Sequence, residues 1–172
     1  MSKHKVFISH YHVDDTKVKD FIDKFAKQYN VFTPKIVGDN YDTTINSENS
    51  EYIMRKIREE YLTDSTVTIV LIGNETWKRK YVDWEIASTL RNDFNNKRSG
   101  LIGIFLPEKD SSNTKIPERL QDNIDVGYAK LYKYPDYAYS ELEKWIDEAY
   151  DRKDDSNYSV DNTRPLYKYN RN

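Results

Sequence analysis

Glu85 stands in the run Lys80-Tyr81-Val82-Asp83-Trp84-Glu85-Ile86-Ala87, just after the apolar run Thr66-Val67-Thr68-Ile69-Val70-Leu71-Ile72-Gly73. A positioned carboxylate can stabilise developing positive charge, and neighbouring rings can stack on a planar ligand. An apolar run bounded by glycine reads as a buried parallel strand, so Glu85 falls beyond the carboxyl end of a sheet, where open α/β folds hold their ligands. A helix over 79–94 puts Val82, Ile86, Leu90 and Phe94 on a core stripe and Tyr81, Glu85 and Ser88 on the adjoining face. The competing use of Glu85 is as a solvated acid near a helix N-terminus, where the macrodipole favours negative charge.

A second polar run, Ser9-His10-Tyr11-His12-Val13-Asp14-Asp15, follows the first apolar segment. Two His and an Asp could begin a zinc site. The chain has only 3 His, and Asp15 occupies the place where such a run needs another, so no metal is expected. A phospho-receiver needs an acceptor Asp after the third strand, and Gly73-Asn74-Glu75 has none. No Gly-x-Gly-x-x-Gly or Walker-type loop is present, so a nucleotide would need another cradle. That cradle is the convergence of three strand-end segments. They are Ser9, His10 and Tyr11, the polar loop Asp39 to Ser50 with Asp42 and Ser47 as its candidate contacts, and Glu85 with Tyr81 and Trp84. Trp84 suits the core equally well, and His10 suits a capping role equally well.

These residues need a frame, and hydrophobic periodicity supplies it. Lys5–Ser9 reads as a strand, and Asp14 or Asp15 caps a helix carrying Val18, Phe21, Ile22 and Phe25. Val31 to Val37 is a weak strand, because Pro34 confines a strand to an edge or to its end, so it should lie outermost or break early. A helix over Glu51–Tyr61 comes before the third strand, and the Glu85 helix, closed by Ser99-Gly100, before a fourth strand at Leu101–Leu106. A loop with a helical turn at Pro117–Asp122, a fifth strand at Ala129–Tyr132 and a closing helix at Tyr139–Tyr150 complete the pattern. Alternation of this kind predicts an α/β three-layer sandwich, a parallel sheet of about five strands with helices on both faces. Residues 1–150 form the domain. Residues 151–172 form a polar tail whose Tyr158, Leu166, Tyr167 and Tyr169 suit a docked arm, with a loose terminus as the alternative.

The chain of 172 residues fits one domain, and its formal charge of −2 offers no general attraction to nucleic acid. The triplet Lys78-Arg79-Lys80 is short enough to be a solvated helix start. With no cysteine, disulfides, thiolate metal sites and cysteine nucleophiles are excluded. No apolar run approaches the ~18 residues that span a bilayer, so a soluble cytoplasmic protein is expected.

Val6-Phe7-Ile8-Ser9 with Asp14-Asp15, then Thr66 to Gly73, then Thr76-Trp77-Lys78-Arg79-Lys80-Tyr81-Val82-Asp83-Trp84-Glu85-Ile86, resembles the TIR-like domains of bacterial Thoeris antiphage systems, the ThsB group. The resemblance implies a flavodoxin-like fold and makes Glu85 the catalytic acid. Tyr81 stands where many relatives carry Trp, which keeps the ring. It further implies cleavage of NAD at the nicotinamide-ribose bond, with NAD as substrate and no separate cofactor. An ADP-ribose-derived messenger would then activate an effector protein, and TIR-like surfaces would support self-assembly. The alternative from another class is a TIR-like interaction module without turnover.

Overall fold

A computed structural model describes residues 3–36, 50–94 and 97–172. Five strands, β1 (Lys5–Ser9), β2 (Thr33–Ile36), β3 (Val67–Ile72), β4 (Gly100–Phe105) and β5 (Lys130–Tyr132), form one sheet in the order β2-β1-β3-β4-β5, and every pairing is parallel. This is the flavodoxin-like order, in which the chain leaves β1 in opposite directions toward β2 and β3. β2 is the outermost strand, where Pro34 needs no donor for a second neighbour.

Side-chain alternation along the strands sorts the two faces. Val6 and Ile8 of β1, Val67, Ile69 and Leu71 of β3, and Ile102 and Ile104 of β4 join one core with Val18, Phe21 and Phe25 and with Leu142, Ile146 and Ala149. That face is covered by α1 (Asp15–Phe21), which continues in π-helical turns over Ile22–Gln28, and by α5 (Tyr139–Lys153). The opposite face carries α2 (Ser50–Lys56), extended by π-helical turns over Ile57–Leu62, α3 (Lys80–Leu90) and α4 (Glu118–Asp125). There Phe7 meets Ile53, Ile57 and Trp84, while Val70, Ile72, Leu101 and Phe105 pack on Val82, Ile86, Leu90 and Leu120. Gly100 lets α5 approach β4, since a Cβ there would collide with the Ala149 carbonyl. Among the described residues no helix is long and apolar enough to cross a membrane.

Several boundaries differ from the periodicity, and two of them bear on the Glu85 helix and the tail. The helix expected over 79–94 stops at Leu90, and Phe94, assigned to its core stripe, is 97% exposed. Arg91 turns to extended backbone and Ser99 donates its N–H to the Thr89 carbonyl, so the chain has already left the helix when it reaches Phe94. At the other end α5 runs to Lys153, which takes the first three residues of the expected linker into the helix.

The tail is a docked arm. Tyr167 is buried, its N–H donates to Asp83 Oδ2 at 3.0 Å, and its carbonyl accepts the Trp84 indole N–H at 2.8 Å. Asn162 donates to the Ala87 carbonyl, and Asn170 Oδ1 accepts the Lys80 N–H at the start of α3. Lys80, Asp83, Trp84 and Ala87 follow the i, i+3, i+4, i+7 spacing of one helix face, so the arm lies along α3. Arg164 ties it to α4 through Asp122 and Glu118. At the centre, Arg119 of α4 donates Nε and Nη2 to the two Asp83 oxygens at 2.8 and 3.2 Å, with both side chains buried. Removing one partner of such a pair leaves an uncompensated charge in a low-dielectric interior. Arg119→Met is therefore expected to lower unfolding free energy by about 3–5 kcal/mol, read from urea denaturation. A loss under ~1 kcal/mol would mean that the pair is not what holds α3 to α4 and the arm.

Candidate functional site

The strand-order reversal lies between β1 and β3, and the residues that end these strands meet the start of α3. Ser9, the last residue of β1 and fully buried, donates its Oγ proton to Glu85 Oε1 at 2.8 Å. Ser9 has the parity of Phe7, which turns it toward the α3 face of the sheet. Glu85 lies on α3 one residue after Trp84 and is 4% exposed. Its height is set by a hydroxyl pair. Thr89 Oγ1 donates to the Glu85 carbonyl at 2.9 Å and lies 2.9 Å from Thr68 Oγ1 of β3. Thr68 is a polar residue inside an apolar strand, and that pattern was the available signal for a bond to a covering helix.

The other candidates surround this contact unequally. Tyr81 is half-buried and meets Trp84 edge-on, with centroids 5.3 Å apart. Trp84 takes the core use. It is 5% exposed among Phe7, Ile53 and Ile57, and its indole N–H is committed to the arm, so its ring backs Tyr81 instead of lining an open crevice. The Arg79 guanidinium lies 4.2 Å from the Tyr11 ring centre, which links the loop after β1 to the start of α3. His10 Nε2 is 2.9 Å from Asp15 Oδ1, and Nδ1 is buried without a partner. His10 has the parity of Ile8 and so belongs to the α1 side. Asp42 and Ser47, with nearly all of the 39–50 loop, lie outside the described residues. Among the described residues no three His, Asp or Glu side chains gather as ligands for a metal ion.

Sequence reasoning missed how Asp14 is packed. Its Oδ2 is buried without a hydrogen-bond partner among the described residues, close against the end of β3, where a Cβ on Gly73 would collide with it. The Gly73 N–H is taken by Thr76 Oγ1 at 2.8 Å.

The family model described as the Thoeris protein ThsB, TIR-like domain, matches residues 7–124. The chain belongs to this family. Comparison of the chain with curated proteins gives no match. The matched span contains Ser9, Glu85 and the Asp83–Arg119 pair. Beyond it lie β5, α5 and the arm, so this ThsB-family domain meets its buried Asp83 with groups from outside the matched segment.

Burial pushes the Asp14 carboxyl above its ordinary value of 3.8, against the smaller opposing pull of Lys17, His10 and Lys109. The folded state thus holds the proton more tightly than the unfolded chain does. The resulting penalty on ionised Asp14 is absent below the unfolded value and complete above the folded one. Asp14→Asn should raise the melting temperature at neutral pH, and its advantage should vanish as pH falls through the carboxylate range. An advantage that grows on acidification would reverse the assigned sign.

Proposed function

We propose that this ThsB-family domain is an NAD-cleaving signalling enzyme in which Glu85 is the catalytic carboxylate. The observation that carries the reading is the Ser9–Glu85 hydrogen bond at the β1/β3 crossover, where doubly wound sheets bind nucleotides. The bond between the ribose C1′ and the pyridinium nitrogen breaks, and its electron pair leaves with neutral nicotinamide. The ribose then carries oxocarbenium character, as a glycosyl centre does in glycoside hydrolysis. Glu85, held by Ser9 and screened from water, is suited to stabilise that charge and to hold the ribose hydroxyls. The cation is captured by water, by a nucleophile of the same substrate or by a second small molecule, and the attacking nucleophile then sheds its proton to solvent. In this reading the product is an ADP-ribose-derived messenger, and the partner is an effector protein reached by diffusion. Tyr81, half-buried one helical turn before Glu85, offers a ring for stacking, and Tyr11 offers a second beside Arg79.

Incubation with NAD, with and without extract of phage-infected cells, followed by mass spectrometry, tests the assignment. Glu85→Gln should lower product formation by about 10²–10³-fold, the usual loss on removing a main charge stabiliser. Its melting temperature should stay near wild type. Ser9→Ala should cost about tenfold, because it removes a bond that orients the carboxylate without removing the charge. Tyr81→Trp should be tolerated, whereas Tyr81→Ala should raise KM more than it lowers kcat. Near wild-type turnover by Glu85→Gln would remove Glu85 from the mechanism. The 4% exposure of Glu85 also favours a second reading, an interaction module in which the acid only braces β1 against α3. That reading predicts no NAD turnover under any condition and a marked loss of stability in Ser9→Ala.

A further inference from the structure

At the amino ends of the strands, away from Glu85, a cleft of about 700 Å³ opens between the end of the α2 extension, the C-terminus of α3 and the residues entering β3 and β4. Among the described residues its walls carry six cations, Arg55, Arg58, Arg91, Lys97, Arg98 and Lys153, against three carboxylates, Glu59, Asp64 and Asp93. Two of the acids are engaged: Asp64 bonds Lys35 at 3.0 Å and Asp93 bonds Arg91 at 2.9 Å. The remaining lining is largely hydroxyl, from Thr63, Ser65, Thr66, Ser88 and Ser99, with Leu62 the apolar contributor.

The deciding group is Arg58. Its side chain is buried, with the residue 9% exposed, and Nε and Nη1 have no hydrogen-bond partner among the described residues. Burial and the charge of Arg91 both work against its cation, and Asp93 and Glu59 offset part of that. Helix C-termini attract basic side chains, and this accounts for Arg98, whose Nε donates to the Lys153 carbonyl at 2.7 Å. It does not account for two guanidinium nitrogens buried without an acceptor, an arrangement that is strongly unfavourable until something supplies one. A guanidinium fork matches phosphate geometry, and a hydroxyl lining matches a sugar in place of an aromatic base. A volume in the ~300–1,000 Å³ range suits a ligand of nucleotide size.

The geometry points to a second ligand site in this cleft for a phosphorylated sugar, with Arg58 as the central phosphate ligand and Lys97 at the rim. The site is separate from the Glu85 crevice. Ser88 is its nearest lining residue on α3, one helical turn beyond Glu85. The shared ligand chemistry, a ribose phosphate, occurs in nucleotides and in free sugar phosphates.

Calorimetric titration of the full chain at low salt with ADP, ribose 5-phosphate and inorganic pyrophosphate tests the site. ADP or ribose 5-phosphate should bind more tightly than pyrophosphate, and binding should weaken as salt is raised. ADP binding above ribose 5-phosphate assigns a nucleotide, and equal binding assigns the sugar phosphate. Arg58→Gln should weaken binding at least tenfold and Lys97→Gln severalfold. Lys144→Gln, on the exposed side of α5, and Glu85→Gln should leave it unchanged. Without ligand, Arg58→Gln should melt at or above the wild-type temperature, because it removes an unpaired buried cation. If that variant unfolds, the Arg91→Gln/Lys97→Gln double variant decides by the same tenfold criterion. The proposal is overturned by no binding of any probe at millimolar concentration, by pyrophosphate matching the sugar phosphates, or by binding that the cleft variants leave intact. Loss of binding in Glu85→Gln alone would place the probe in the other crevice and overturn it equally.

Discussion

Asp83 is an acid on the inner side of α3, and the setting of the Glu85 helix depends on how that charge is met. The answer is a two-pronged bond from Arg119, reinforced by the Tyr167 N–H, with Arg119 itself anchored to Asn162 and to the Pro165 carbonyl. A buried pair of this kind adds little net stability compared with an apolar pair of the same volume, because both ions have lost their water. Its consequence is geometric. Fixing Asp83 fixes the rotation of α3, and two residues further round the same helix Glu85 is aimed at Ser9. A slip of one position would send the acid away from β1 and leave Arg119 without its carboxylate.

The arm completes this arrangement from outside the family segment. Helix α3 begins after Arg79 without a side-chain cap of its own, and one of its first free N–H groups is met by Asn170. The same stretch of chain also covers Trp84 and Asn123, whose amide exchanges hydrogen bonds with the Asp161 backbone. A segment with the composition of a linker thus acts as a clamp along α3 and α4. Its polar side chains serve as hydrogen-bond partners for groups the domain has buried, which is why low hydrophobicity here does not leave the chain loose.

The sheet was legible because its signal is local. The β3 and β4 runs are continuous and apolar, Pro34 confines β2 to the edge, and Leu142, Ile146 and Ala149 keep the helical period of a packed face. The Ser9–Glu85 meeting was legible in part, since topology brings those two strand ends together whatever the side chains do. The end of α3 was not, because it is decided by the long-range Ser99-to-Thr89 hydrogen bond. Trp84 was ambiguous because its spacing serves the Tyr81–Glu85 side and the buried side alike. What settles it is Leu166 and Tyr167, more than 80 positions away in the chain. Arg58 and Asp14 were invisible for a related reason: a charged residue in a sequence looks solvated until the fold removes its water.

The electrostatics of α3 explain how one buried acid can coexist with an anionic dinucleotide as its proposed substrate. Lys78, Arg79 and Lys80 cluster at the helix N-terminus, the end where the macrodipole disfavours cations. They are held there by other means. Lys78 pairs with Glu75 at 3.1 Å, Arg79 lies over Tyr11, and Lys80 lies 5.2 Å from the Tyr81 ring centre. Ring faces hold cations without neutralising them, so Arg79 and Lys80 keep a positive field at the start of α3. Glu85 sits behind that field, bonded to Ser9 and out of water. In the proposed reaction a diphosphate would be drawn to these cations, while the carboxylate would meet only the part of the ligand that enters deepest. In the proposed reaction that part would be the nicotinamide ribose of NAD, whose C1′ becomes positive as the bond breaks, so attraction by the cations and stabilisation at depth would act on opposite charges of one substrate.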